Sequence, residues 1–272
     1  LLNYSSVLFG SILWSQGQSL RSKMYSLFPF VPLAFLAIIE GRRARLLVPI
    51  FLFVSSFVAS EVWRYGGKKP LIRRQSLSRL FFATFLILGF MLVLQTGRAD
   101  FSVKNLPLSL ASSRGGVFGH LSGFSQWFNS RGLVLTAPKW GANTLAGPFQ
   151  ILGIKERVDG LYSDFVTLGR GRLASSTNVY TVFRGLIEDF TLLVAAMVLF
   201  LVGFIAGKAY EQAACGNILA VAILAAFYQF TLWGFIASFA SYNIVFLSFG
   251  VLLIYFILCK AFARPRGEFL AC

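Results

Sequence analysis

The chain is poor in the residues that build metal and thiol chemistry. Its 272 residues include one histidine, His120, and three cysteines, Cys215, Cys259 and Cys272. The cysteines match no metal-ligand spacing, and a single imidazole cannot complete a zinc site with them. Neither a metal, a cofactor nor a disulfide is expected. The phosphate-loop, dinucleotide-fold, serine-hydrolase and zinc-protease signatures are missing as well. Acids are scarce, 10 Asp plus Glu against 25 Lys plus Arg, and all charged residues together make up 13%. The first residues are apolar, with neither Met nor a basic stretch, so the chain does not begin as a signal peptide does and is expected to lack an N-terminal part.

What is abundant is hydrophobicity, at 57% of residues. Apolar stretches, uncharged apart from Glu61, run over residues 1–14, 25–39, 46–63, 80–96, 190–207, 218–242 and 244–259. At about 1.5 Å per residue the 18-residue run from Phe190 to Gly207 spans roughly 27 Å, close to the hydrocarbon thickness of a bilayer. The expected fold is therefore all-α, a polytopic transmembrane helix bundle. Its expected parts are transmembrane helices over 1–96, an external loop segment of short helices over 97–185, and further helices with a tail over 186–272.

"RYGGKKPLIRRQSLSRL" carries Arg64, Lys68, Lys69, Arg73, Arg74 and Arg79 without an acid, the strongest cytoplasmic signal in the chain. Strict alternation then places 97–185 outside. The same alternation puts "EGRRARLL", with Arg42, Arg43 and Arg45, on the face where short loops are normally poor in Lys and Arg. Two explanations stand: an anion site on the outer face, or a re-entrant hairpin over residues 25–63.

The 97–185 segment holds seven arginines, Arg98, Arg114, Arg131, Arg157, Arg170, Arg172 and Arg184, and three lysines. Arginine's planar fork grips phosphate or carboxylate at two points, whereas lysine acts as a point charge. That bias fits a diphosphate-bearing ligand, although single arginines also snorkel to lipid phosphates. Aromatic residues such as Trp127 interleave with them, suiting either sugar rings or an interfacial belt.

In "STNVYTVFRGLIEDF", residues 176–190, an arginine and two acids precede seventeen uncharged residues. Asn178 reads as the helix N-cap, which places Arg184 and Glu188 four apart on one face and Asp189 about 140° away from Arg184. Acids at such a position cost free energy unless paired or facing water, and they mark functional sites in membrane proteins. Glu188 and Asp189 are candidate bases, and an Arg184–Glu188 pair that merely anchors the helix end is the plainer alternative. His120 is a candidate proton acceptor near neutral pH, against the plainer reading of a bystander in a glycine-rich loop.

The stretch "SSTNVYTVFRGLIEDF" resembles the segment opening a late helix in Wzy-type oligosaccharide repeat-unit polymerases of the bacterial inner membrane, roughly N-x-Y-T-x-x-R-x-x-x-x-D-F-G. "GHLSGFSQWFNS", "KWGANTLAGPFQILG" and "GRRARLL" are similar to further patterns of that family. The resemblance falls on Asn178, Tyr180, Thr181, Arg184, Asp189 and Phe190; it departs at Thr191, where the family carries glycine, and at Arg43. It implies a GT-C-like bundle and a metal-independent glycosyltransferase. Such an enzyme polymerises undecaprenyl-diphosphate-linked oligosaccharide units at the periplasmic face of the inner membrane. Asp189, Arg184, Glu188 and His120 are the candidate catalytic residues. Arg42, Arg43, Arg45, Arg98, Arg114, Asn178, Tyr180, Thr181 and Trp127 are the candidate substrate contacts. Membrane lipids and a chain-length regulator protein are the implied partners; nucleic acid is not. An O-antigen ligase, in which a loop histidine matters, is the nearest alternative. A transporter of anionic lipid-linked glycans is the alternative from another class, weakened by helix middles nearly free of charge.

Overall fold

A computed structural model describes residues 1–17, 19–40, 44–68, 89, 106–131, 137–156, 162, 164–168, 175–178 and 180–262. Among them the chain is mostly helical, so the fold class is the expected all-α one. Helices α1 (Leu2–Gln16), α2 (Leu20–Leu27), α3 (Phe30–Glu40) and α4 (Ala44–Tyr65) come first. They are followed by α5 (Leu106–Arg131), the short α6 (Ala146–Ile151), α7 (Val182–Ala214), α8 (Ile218–Trp233) and α9 (Asn243–Phe262). Two three-residue strands, β1 (Val166–Leu168) and β2 (Ser175–Thr177), form an antiparallel ladder with Val166 opposite Thr177. The ladder packs on α5.

Four stretches are long and apolar enough to cross a membrane: Leu20–Glu40, Leu46–Tyr65, Val182–Ala214 and Asn243–Phe262. The first joins α2 and α3 across a turn at Phe28 and Pro29, where proline cannot continue the preceding helix. Apart from residue 89, the candidate over 80–96 lies outside the described residues. The run expected over 218–242 is shorter as a helix: α8 ends at Trp233, and Gly234 turns the chain so that its carbonyl accepts from Val182 N at 2.7 Å. Hydropathy continues past this point, so composition alone could not place the turn.

Helix α4 lies at the centre, packed against α1, α3, α7 and α8, while α9 closes against α1 and α8. Leu8, Leu33, Leu52, Val62, Leu224, Leu252 and Phe256 form its dry core. Water gives helices little reason to associate inside lipid, so close packing and hydroxyl bonds take over. Ser56 Oγ donates to the Leu8 carbonyl at 3.2 Å, tying α4 to α1, and Trp63 Nε1 donates to Gly216 O at 3.1 Å. Arg64 Nη1 donates to the Ser15 carbonyl. Cys259 is free, and Cys272, which any pairing with Cys215 would need, lies outside the described residues.

The 97–185 segment also differs from expectation. Instead of short helices throughout, α5 runs for 26 residues, and among the described residues α6 is short. The three glycines of "RGGVFG" weaken a helix by about 1 kcal/mol each without forbidding it.

Helix α7 is broken at Thr191, whose φ of 67° and ψ of 165° lie in a region that essentially only glycine occupies without strain. The β-branched side chain makes this worse. Strain of about 1–3 kcal/mol is offset in part by the greater unfolded freedom of glycine, so Thr191→Gly is expected to stabilise the protein by about 1 kcal/mol. The midpoint of thermal unfolding in detergent should rise; a lower midpoint would show that the threonine side chain contributes more than its backbone costs.

Candidate functional site

The helix break frees the carbonyls of Glu188 and Asp189, which can no longer find amides one turn ahead. Lys139 N takes the first at 3.2 Å and Trp140 N the second at 3.1 Å. The loop 137–145 therefore docks on α7 where its ladder is interrupted. A turn with Trp140 at φ 49° and Gly141 at φ 89° points the following amides at Asp189. Asn143 N lies 3.1 Å from both Asp189 oxygens, and Thr144 N donates to Oδ2 at 2.7 Å. Asp189 is fully buried. Its carboxylate acts as a cap for this loop, as an N-cap side chain does for a helix.

Arg184 does the same for the segment 162–180. Its Nη1 and Nη2 each donate to one oxygen of Asp164 at 2.9 Å, a two-point fork, while Nε donates to Glu188 Oε1 at 2.7 Å. The guanidinium lies 3.9 Å from the Tyr162 ring centre, 4.0 Å from Tyr180 and 5.2 Å from Trp127. A weakly hydrated planar cation is well suited to such an aromatic box. Tyr180 Oη donates to the Asp164 carboxylate at 3.2 Å, and Asn178 Nδ2 donates to the Tyr162 carbonyl at 3.3 Å. Gly185 allows this packing: a Cβ there would sit 3.3 Å from Tyr162 Oη and 3.4 Å from Thr144 Oγ1.

Burial works against the Asp164 carboxylate, but the Arg184 hydrogen bonds and charge outweigh it and hold the group below the usual carboxylate range. Burial pushes the Tyr162 and Tyr180 phenols upward, so both stay neutral.

Glu188 links the two halves. Its Oε2 accepts from Lys139 Nζ at 2.7 Å and from Asn143 Nδ2 at 3.1 Å, while Oε1 faces Arg184. Its side chain keeps 11% of its surface exposed and Lys139 keeps 52%, so this edge of the cluster meets solvent.

No family model, curated protein or solved structure matches the chain. The site's residues and their geometry are therefore the basis for any reading.

The structure gathers Arg184, Glu188, Asp189, Asn178, Tyr180 and Trp127 into one network. Thr181 takes the N-cap position of α7 that the sequence suggested for Asn178. Residues 175–177 are held in β2 and the Asn178 amide in Tyr162, so the helix starts at Val182. Glu188 is thus seven residues past the cap, roughly 10 Å, still beyond the first-turn reach of the helix dipole. His120 is buried in α5 rather than placed in a loop, its ring 6.2 Å from that of Phe235. Arg42, Arg43 and Arg98 lie outside the described residues, as do the side chains of Arg45 and Arg114.

Sequence reasoning missed Tyr162, Asp164, Lys139, Asn143 and Thr144 as members of the site. Nothing in "GLYSDF", residues 160–165, or "PKWG", residues 138–141, shows in sequence that they meet at Arg184 and Glu188. Among the described residues no group of three metal-ligating side chains occurs.

Proposed function

We propose that the protein is a membrane glycosyltransferase that transfers glycans between lipid-diphosphate carriers, of the oligosaccharide-polymerase type that the sequence resembles. The observation that carries this reading is the Glu188–Lys139 pair: a partly exposed carboxylate and an exposed ammonium 2.7 Å apart, fixed where the uncharged part of α7 begins. A lipid diphosphate presents its phosphates at that height, and its first sugar next to them.

In this reading Glu188 takes the proton of the acceptor hydroxyl as its oxygen forms the new bond to the donor's anomeric carbon. The bond from that carbon to the phosphate oxygen breaks, and the electron pair leaves with the lipid diphosphate, whose charge Lys139 offsets. Arg184 and Asp189 hold the two halves of the site in register rather than touching substrate. Positioning of donor and acceptor contributes much of the rate. The reading places the protein in a bacterial inner membrane with the site facing the periplasm and a chain-length regulator as partner.

The test is to incubate purified protein with a lipid-diphosphate-linked oligosaccharide, without nucleotide sugar, and resolve the products by length. A ladder is expected, and Glu188→Gln should reduce its rate by at least about a hundredfold, the usual worth of a general base. Absence of a ladder from the unaltered protein, or an undiminished ladder from Glu188→Gln, would count against the assignment.

A further inference from the structure

The loop that supplies Lys139 and Asn143 continues into α6 and ends near Glu156, and its outer side is strongly apolar. Trp140 is 72% exposed, Leu152 70% and Ile154 67%, with Leu145 and Ile151 partly exposed beside them. In water such a patch would be a liability on a segment this small.

Two attachments define its height. At one end Trp140 N bonds to the Asp189 carbonyl, two residues before the break at Thr191, from which α7 is uncharged for seventeen residues. At the other end Gly147 packs against the start of α9, so tightly that a Cβ would come within 2.5 Å of Ala240 O and 2.9 Å of Asn243 N. Between them Ser238 Oγ donates to Thr144 O at 2.8 Å and Ser241 Oγ to Asn143 O at 3.0 Å. The segment thus bridges the mouths of two membrane-crossing stretches, α7 and α9, which enter the bilayer at the same end of the bundle. On α7 itself Leu192 and Leu193, just past the break, are exposed as well. Lys139 reaches Glu188, and Lys155 Nζ reaches the Ala142 carbonyl at 2.7 Å, so both ammonium groups are held on the polar side of the same segment.

We propose that residues 139–154 are a lipid-seated platform, lying in the plane of one leaflet with Trp140, Leu152 and Ile154 in the boundary between headgroups and acyl chains. Tryptophan and branched aliphatic residues favour that layer, and flanking lysines favour an anionic lipid surface. The inference stands on the two attachments and the exposed apolar face, independently of any catalytic role for Glu188. Its consequence is that Glu188 and Lys139 are held at the depth of lipid phosphates.

The test places an environment-sensitive fluorophore on single cysteines introduced by Leu152→Cys and Ile154→Cys, with Glu156→Cys as the comparison, after Cys215, Cys259 and Cys272 are replaced by Ser. The full chain is reconstituted in vesicles of phosphatidylcholine with a minor share of phosphatidylglycerol, and monodispersity before reconstitution confirms folding. At 152 and 154, lipids brominated near the headgroup should quench at least about twofold more than lipids brominated near the chain end, with little quenching by aqueous iodide. Position 156 should show the reverse preference, for iodide over lipid. Iodide quenching at 152 and 154 equal to that at 156 would overturn the proposal, as would stronger quenching by the deep bromines. If Cys215 proves necessary for folding, Trp140 emission in the native-cysteine protein gives the same comparison: Trp140→Phe should remove most of the quenching by shallow bromines, and an unchanged quenching profile would overturn it.

Discussion

Asp189→Ala is expected to release the 137–145 loop from α7 and to lower stability by about 3 kcal/mol. The estimate follows from the donors left behind. Asn143 N and Thr144 N both depend on the Asp189 carboxylate, within a site that excludes solvent from Asp189. A buried amide left without an acceptor costs about 1–3 kcal/mol, and water entering as the loop loosens returns part of that. Asp189→Asn keeps the volume and one acceptor oxygen but turns an NH2 group toward one of the amides, so a smaller loss of about 1–2 kcal/mol is expected. Hydrogen exchange at the Asn143 and Thr144 amides, together with the unfolding midpoint in detergent, checks both. Unchanged protection at those two amides in Asp189→Ala would mean that the loop's other bonds, to the Glu188 and Asp189 carbonyls, the Glu188 side chain, Ser238, Ser241 and Lys155, hold it without the Asp189 carboxylate.

The second large effect is at Arg184. Arg184→Ala removes the fork to Asp164, one partner of Glu188 and the cation enclosed by Tyr162, Tyr180 and Trp127. The two arms differ in worth. The Asp164 side chain is half exposed, and an exposed pair contributes about 1 kcal/mol or less. Glu188 is nearly enclosed, and the ring stack leaves a cavity when the guanidinium goes. Breaking a buried pair from one side costs about 3–5 kcal/mol, so a total loss in that range is expected, dominated by Glu188 and the rings rather than by Asp164. Arg184→Lys should recover little of it, because an ammonium cannot form the fork or lie flat between rings. A double-mutant cycle of Arg184→Met with Asp164→Asn separates the arms: a coupling near 1 kcal/mol supports this division, and one above about 3 kcal/mol would transfer the dominant role to Asp164.

These variants also separate positioning from chemistry. Under the proposed function, Asp189 and Arg184 variants should lose glycan transfer together with stability, whereas Glu188→Gln should lose transfer out of proportion to any loss of stability.

The spacing of Arg184 and Glu188 was sufficient to pair them, because four residues make one turn and the helix carries both side chains to the same side. The spans over 46–63 and 190–207 were legible for a similarly local reason: a bilayer demands length and hydropathy, and both are properties of a contiguous string. The end of α8 at Trp233 was not, since the residues beyond it remain apolar and the turn is held by a bond to Val182, distant in sequence. The break at Thr191 was equally hidden in an apolar run, although the resemblance places glycine at that position.

The sequence by itself determined that the chain is a membrane-crossing helical protein with a charged cluster at the mouth of one helix, because hydropathy and helical periodicity act between near neighbours. Only the tertiary structure decided what each charge does. Asp189 and Glu188 are adjacent and chemically alike, yet one is closed over by backbone amides from Asn143 and Thr144 while the other faces Lys139 at the edge of the site. Those partners lie more than forty residues away along the chain. Their amides reach Asp189 because a helix break exposed two carbonyls on which that distant loop could dock, and such a match exists only once both segments are folded.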